Sequence, residues 1–136
     1  MMGLVVLLAA IALAAALALV HRRYDGRLRD RHSAADLRGL VPGTPGERAT
    51  LLQFSSAFCA PCRATKRVLH DVAEVVPGVA HVEVDAESHL ELVRALGIHK
   101  TPTTLVLDGD GREVRRAVGQ PSKHAVLKAL SEAVPS

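Results

Sequence analysis

Residues 59–62 read Cys-Ala-Pro-Cys and contain the only two cysteines of the chain. Two thiols three positions apart suit the reversible conversion of a dithiol into a disulfide. The attacking sulfur must be a thiolate. A helix start favours that form through unpaired backbone N–H groups and the positive end of the helix dipole. The second sulfur must then displace the first from a mixed disulfide, and the short spacing gives it that reach. Metal binding is the competing chemistry: two cysteines supply half of a tetrahedral zinc site, so His70, His81 or His99 would have to complete it. A third alternative is a tethered chaperone or binding module, using an apolar groove around Phe58 and Pro102 without catalysis.

The flanking residues place the pair at a strand-to-helix junction. Ala49 to Ser55, with Leu51, Leu52 and Phe54, is a short apolar run that fits a buried strand. A helix then opens at the cysteine motif, with Pro61 in its first turn, where a missing N–H costs nothing. Val68, Leu69, Val72, Ala73 and Val76 give it an apolar face, and Pro77-Gly78 ends it. Val79 to Val84 alternates as a strand. Ser88 and Glu91 have capping-box spacing ahead of a helix carrying Leu92, Val93 and Leu96, which stops at Gly97. Thr103 to Leu107 and Arg112 to Val118 are strands joined by the hairpin turn Asp108-Gly109-Asp110-Gly111. Ser122 to Val134 closes the chain as an amphipathic helix. The order β-α-β-α-β-β-α implies both parallel crossovers and an antiparallel hairpin, hence an α/β three-layer sandwich around a mixed sheet.

An appendage precedes this unit. Met1 to Val20 carries no charge, and Gly3 to Val20 is continuously apolar, which is close to the length that crosses about 30 Å of hydrocarbon. The alternative is a cleavable signal peptide, with Ala16-Leu17-Ala18 as a small-x-small site, but the basic opening of a signal peptide is missing. Residues 1–20 are therefore expected to be a transmembrane anchor, 21–48 a basic juxtamembrane linker and 49–134 the folded domain. Arg22, Arg23, Arg27, Arg29 and Arg31 follow the apolar run directly. The positive-inside rule then places the N-terminus outside and the domain in the cytoplasm, as a single-pass protein of the cell membrane. Anionic head groups would also attract this cluster.

The formal charge of +3 does not point to nucleic acid. Residues 33–136 hold twelve Lys plus Arg and twelve Asp plus Glu, so the excess sits beside the apolar run. Two Phe, one Tyr and no Trp leave little on which to stack bases.

The element order, the run Phe58-Cys59-Ala60-Pro61-Cys62-Arg63 and the run Gly97-Ile98-His99-Lys100-Thr101-Pro102-Thr103 together resemble the thioredoxin superfamily over about residues 49–134. Gly119 matches a glycine that the family keeps after its hairpin. The resemblance implies that Cys59 is the exposed nucleophile and Cys62 the buried resolving thiol. It also implies that Pro102 is a cis-proline lying against the sulfurs, where it would disfavour a metal, and that the Thr101 backbone pairs with an extended substrate. Thioredoxins proper usually carry Trp where Phe58 stands, so the apolar platform is kept without the indole donor. They carry a buried Asp where Gln53 stands, and Gln exchanges no proton at neutral pH. The basic partner on the next strand corresponds to His81, a candidate proton relay. The shortened segment before residue 49, and Thr ahead of Pro102, look closer to membrane-tethered, TlpA-like members.

The expected function is thus a membrane-anchored thiol–disulfide oxidoreductase acting on protein disulfides through Cys59 and Cys62, chiefly as a reductase. With the domain facing outward, the same residues could oxidise or isomerise secreted proteins. The resemblance implies no cofactor beyond the Cys59–Cys62 disulfide and no metal. Implied partners are protein disulfide substrates and a thiol reductase or membrane electron donor, with the membrane held through residues 3–20 and the chain a monomer.

Overall fold

Two strands buried on both faces form the interior of the sheet. Strand β2 (Ala49–Ser55) is buried at all seven positions, and β4 (Thr103–Asp108) is buried at its first five. Such strands read as near-continuous apolar runs rather than alternating ones. The computed structural model describes residues 1–30 and 35–135. It places β1 (Leu28–Asp30), β5 (Glu113–Val118), β4, β2 and β3 (Val79–Asp85) side by side in that order. β2 runs parallel to β3 and antiparallel to β4, and β5 lies antiparallel to both β4 and β1. The mixed sheet expected from the sequence is the one found, with one strand added at its edge.

Helices cover both faces. On one side α2 (Ala60–Val75) and α4 (Lys123–Ala133) bury Leu69, Val72, Val126, Ala129, Leu130 and Ala133 against Ala49, Leu51 and Val106. On the other, Leu92 and Val93 of α3 (Leu90–Ala95), together with Leu96, pack against Leu52, Phe54, Val82, Val84, Leu105 and Leu107. Pro61 stands in the first turn of α2, and Ser122 caps α4 by accepting the Ala125 N–H at 3.1 Å. Asp108 Oδ1 accepts from the N–H groups of Asp110 and Arg112, which closes the expected hairpin.

Two details differ from the sequence expectation. The capping box does not form: His89 is the N-cap of α3 without a side-chain cap bond, and Ser88 Oγ instead donates to Asp85 Oδ2 at 2.7 Å. Asp85 also accepts the Glu87 N–H, so the local turn holds the hydroxyl that the helix needed. Residues 21–48 also do more than connect. β1 pairs Leu28 with Ala117, and Leu37 and Val41 are buried in the core beside a single 3-10 turn at Arg38–Leu40. Arg31 and Ala34, which belong to the expected linker, lie outside the described residues.

Helix α1 (Met2–Tyr24) has a mean hydropathy of 2.9 over its most apolar window, and none of that window is buried against the protein. At 1.5 Å per residue its 23 residues extend about 34 Å. It is long and apolar enough to cross a membrane.

The core should respond to loss of volume at the α2–sheet contact. Leu69→Ala, at a fully buried position, is expected to lower the unfolding free energy in urea by about 2–5 kcal/mol. Leu127→Ala, on the exposed side of α4, should change it by less than about 1 kcal/mol. Equal losses at the two sites would contradict the packing described.

Candidate active site

The disulfide sits where β2 hands over to α2. Cys59 is the N-cap of α2, and its Sγ accepts the Cys62 backbone N–H at 3.2 Å. The Cys59 carbonyl accepts the Arg63 N–H, also at 3.2 Å. One of the unpaired donors of the first helical turn is therefore spent on a sulfur. Cys59 and Cys62 are joined, with their Cα atoms 5.1 Å apart. Cys59 is half-buried while Cys62 is only 4% exposed, so an incoming group meets the outer sulfur first. Phe58 stands fully exposed with φ 56°, a left-handed conformation that costs a bulky residue about 1–2 kcal/mol. Pro61, in the same turn, is also exposed.

A second loop lies beside the first. The Thr101–Pro102 peptide is cis. Ser56 Oγ and Thr101 Oγ1 share a hydrogen bond of 2.8 Å, and Thr103 Oγ1 donates to the Lys100 carbonyl. The Pro102 carbonyl accepts the Gly119 N–H at 2.8 Å. From the third side, Glu87 Oε1 accepts the Ala57 N–H at 3.3 Å, and the Ser55 carbonyl accepts from Ala86. Two loops that are distant in sequence thus fix the segment leading into Cys59. Sequence analysis did not single out Ser56 or Glu87; their partners lie 45 and 30 positions away, and no local pattern marks them.

Below the inner sulfur lies a polar link. Gln53 is fully buried, and its Nε2 donates to the Cys62 carbonyl at 2.8 Å. That carbonyl can only accept, so Gln53 Oε1 faces His81 Nε2 at 2.9 Å as an acceptor, and the imidazole carries its proton on Nε2. Burial pushes the His81 pKa down; His70 and Lys66 add to this, and Glu83 opposes it. The link ends on the backbone of Cys62 and not on its sulfur. Lys66 is engaged with Glu83 at 2.8 Å, and His70 and His99 are exposed. Among the described residues no three His, Cys, Asp or Glu side chains converge as metal ligands.

The arrangement of sulfurs, cis-proline and sheet can be set beside known proteins. The family model described as "Thioredoxin-like domain" matches residues 43–133. The chain belongs to the thioredoxin-like family. It is 32% identical over 90 residues to thioredoxin of Mycobacterium bovis, spanning 65% of this chain and 77% of that protein. It is 33% identical over 82 residues to thioredoxin of Chlamydia trachomatis, spanning 60% and 79%. In fold it is similar to a mutant thioredoxin from Halobacterium salinarum, with a TM-score of 0.61 and 23% identity over 66% of this chain and 78% of that one. With both sulfurs of the motif present and paired, this thioredoxin-like protein is a thiol–disulfide oxidoreductase.

His81 makes a testable contribution to the pH dependence of stability. Its folded pKa lies below the ordinary imidazole value of about 6.5, so folding favours the neutral ring. The unfolded chain then binds more protons in the window just below 6.5. The stabilising contribution is complete above that value and is lost as pH falls through it toward the lowered folded value. Chemical denaturation at about pH 5 and about pH 7.5 should show this loss, and His81→Asn should flatten it. In Gln53→Glu a carboxylate replaces the amide beside the ring, so the His81 titration followed by NMR should move upward. An unchanged titration would contradict the Gln53–His81 contact.

Proposed function

We propose that this protein is a membrane-anchored disulfide reductase. Cys59 is its nucleophile and Cys62 its resolving thiol. The carrying observation is the Cys59 sulfur at the N-cap of α2, hydrogen-bonded by the Cys62 N–H. In the reduced protein that donor and the helix dipole favour a Cys59 thiolate. The thiolate attacks a protein disulfide, forms a mixed disulfide and releases the first substrate thiolate. Cys62 then attacks Cys59 Sγ and expels the second. Two electrons and two protons pass to the substrate, and the protein is left with the Cys59–Cys62 disulfide as its only redox group.

The neighbouring residues have positions that suit these steps. Pro102 and Thr101 border the approach to the sulfurs, with the Thr101 backbone offered to an extended substrate chain. Phe58 provides an apolar platform beside Cys59, and Pro61 shapes the turn between the sulfurs. His81 tunes the resolving step through Gln53, in place of a buried acid. A thiol reductase or a membrane electron donor regenerates the dithiol.

Residues 1–20 serve as the anchor and 21–48 as a basic juxtamembrane segment that also lends β1, Leu37 and Val41 to the catalytic domain of 49–134, which works as a monomer. The length and hydropathy of α1 support the anchor. That tether, with Thr101 ahead of Pro102, supports a TlpA-like member of the family. The arginines after α1 support a cytoplasmic domain. A reducing cytoplasm keeps the pair in the dithiol form, which makes reduction the working direction.

Insulin reduction by the purified chain tests the chemistry. Cys59→Ser should lower the rate at least about 100-fold, and Cys62→Ser should accumulate a mixed disulfide with the substrate. Reduction that survives Cys59→Ser would overturn the assignment. For orientation, Cys59 in intact cells should resist an impermeant thiol reagent and react once the cells are opened.

A further inference from the structure

We propose that the disulfide-exchange face is held toward the bilayer surface, so that the partner is a membrane-embedded protein whose reacting sulfurs lie at the head-group layer. This rests on the anchoring role of α1 proposed above, to which it adds an orientation and a reach.

Strand directions set the orientation. Phe54 opposes Thr103 and Thr103 opposes Val118, so the end of β2, the start of β4 and the end of β5 share one edge of the sheet. Cys59 follows the end of β2, and Pro102 precedes β4. Helix α1 leaves the domain at that same edge. Gly26 N donates to the Val118 carbonyl at 2.7 Å, and Leu28 opposes Ala117. The Asp25 carboxylate pairs with Lys100 Nζ at 3.1 Å, one residue before the cis peptide. Val118 lies two strands away from Phe54, about 10 Å at ordinary strand spacing. The hairpin turn at Asp108–Gly111 occupies the opposite edge.

The junction requires close contact. A Cβ on Gly26 would lie 1.9 Å from the Gln120 carbonyl oxygen, and one on Gly119 would lie 1.9 Å from Asp25 Oδ1. Gly119 N in turn donates to the Pro102 carbonyl. The backbone leaving the apolar helix therefore touches the segment that holds the cis-proline. A free tether needs none of these contacts, and about 28 extended residues would let the domain range about 90 Å from the membrane. The chemistry of this edge also fits a bilayer surface: Arg22, Arg23 and Arg27 are exposed at the junction, where anionic head groups attract them, and Phe58 is fully exposed beside Cys59.

The test uses the full chain in vesicles of phosphatidylcholine and phosphatidylglycerol whose head groups carry a nitroxide quencher. A fluorophore on Cys59 in Cys62→Ser should be quenched at least about 3-fold more than one placed by Asp110→Cys in a Cys59→Ser, Cys62→Ser background. Inserting about a dozen Gly and Ser residues between Tyr24 and Asp25 should bring that ratio toward one. In a second arm, the reduced chain meets a phospholipid whose head group bears a pyridyl disulfide. Cys59 displaces pyridine-2-thione, Cys62 then releases the lipid thiol, and the two protons of the dithiol end on those products. The insertion should slow this reaction several-fold by lowering the effective concentration, and should leave insulin reduction unchanged. Equal quenching at the two positions in samples that float with the vesicles, or equal lipid-disulfide rates with and without the insertion, overturns the orientation alone. Failure to float overturns the anchor on which it rests.

Discussion

A backbone N–H in the first turn of α2 has no helical partner, and here a sulfur satisfies it: Cys62 N donates to Cys59 Sγ. The rest of the site depends on that contact. It requires β2 to end at Ser55, four residues to turn the chain, and α2 to begin at Ala60 with Pro61 in a position that wastes no donor. The apolar faces of α2 and β2 hold the junction in place, through Leu69 and Val72 on the helix and Leu51 on the strand. The turn itself is strained at Phe58. It is fixed from both sides, by Ser56 against Thr101 and by Ala57 against Glu87. Strain of this kind persists only where surrounding contacts over-determine the backbone.

The inner sulfur has a different environment from the outer one. Cys62 is buried over the polar link of Gln53 and His81, which orients the Cys62 backbone and holds the imidazole on the far side of the Gln53 amide. An amide can transmit hydrogen-bond geometry but holds no exchangeable proton at neutral pH. The pH sensitivity of this layer therefore resides in the histidine, one residue farther from the sulfur than a buried acid would be.

Much of this was legible in the sequence, and the parts that were not share a cause. The cysteine spacing, the apolar run of β2, the 3.6-residue periodicity of α2 and α4 and the Asp-Gly hairpin are local signals, and each has its structural counterpart. The contacts that were missed join residues far apart: Ser56 with Thr101, Ala57 with Glu87, Asp25 with Lys100. They depend on strand register and loop paths, which no window of sequence encodes. Gly26 and Gly119 were the one available hint that β1 would dock, since both adopt positive φ where a side chain would collide with the backbone or with Asp25. The capping box at Ser88 failed for a local reason: the hydroxyl donates to the Asp85 carboxylate within the preceding turn, and His89 takes the N-cap position.

The central claim is that helix α2 stabilises an anionic Cys59, and the pH dependence of alkylation measures it directly. Iodoacetamide reacts with the thiolate alone, so its rate on the reduced protein traces the ionisation of the exposed sulfur. The profile should rise with a midpoint at least about one pH unit below the ordinary thiol value of about 8.5, with Cys59 as the modified residue. A midpoint at or above that value, or modification of Cys62 in its place, would contradict the account.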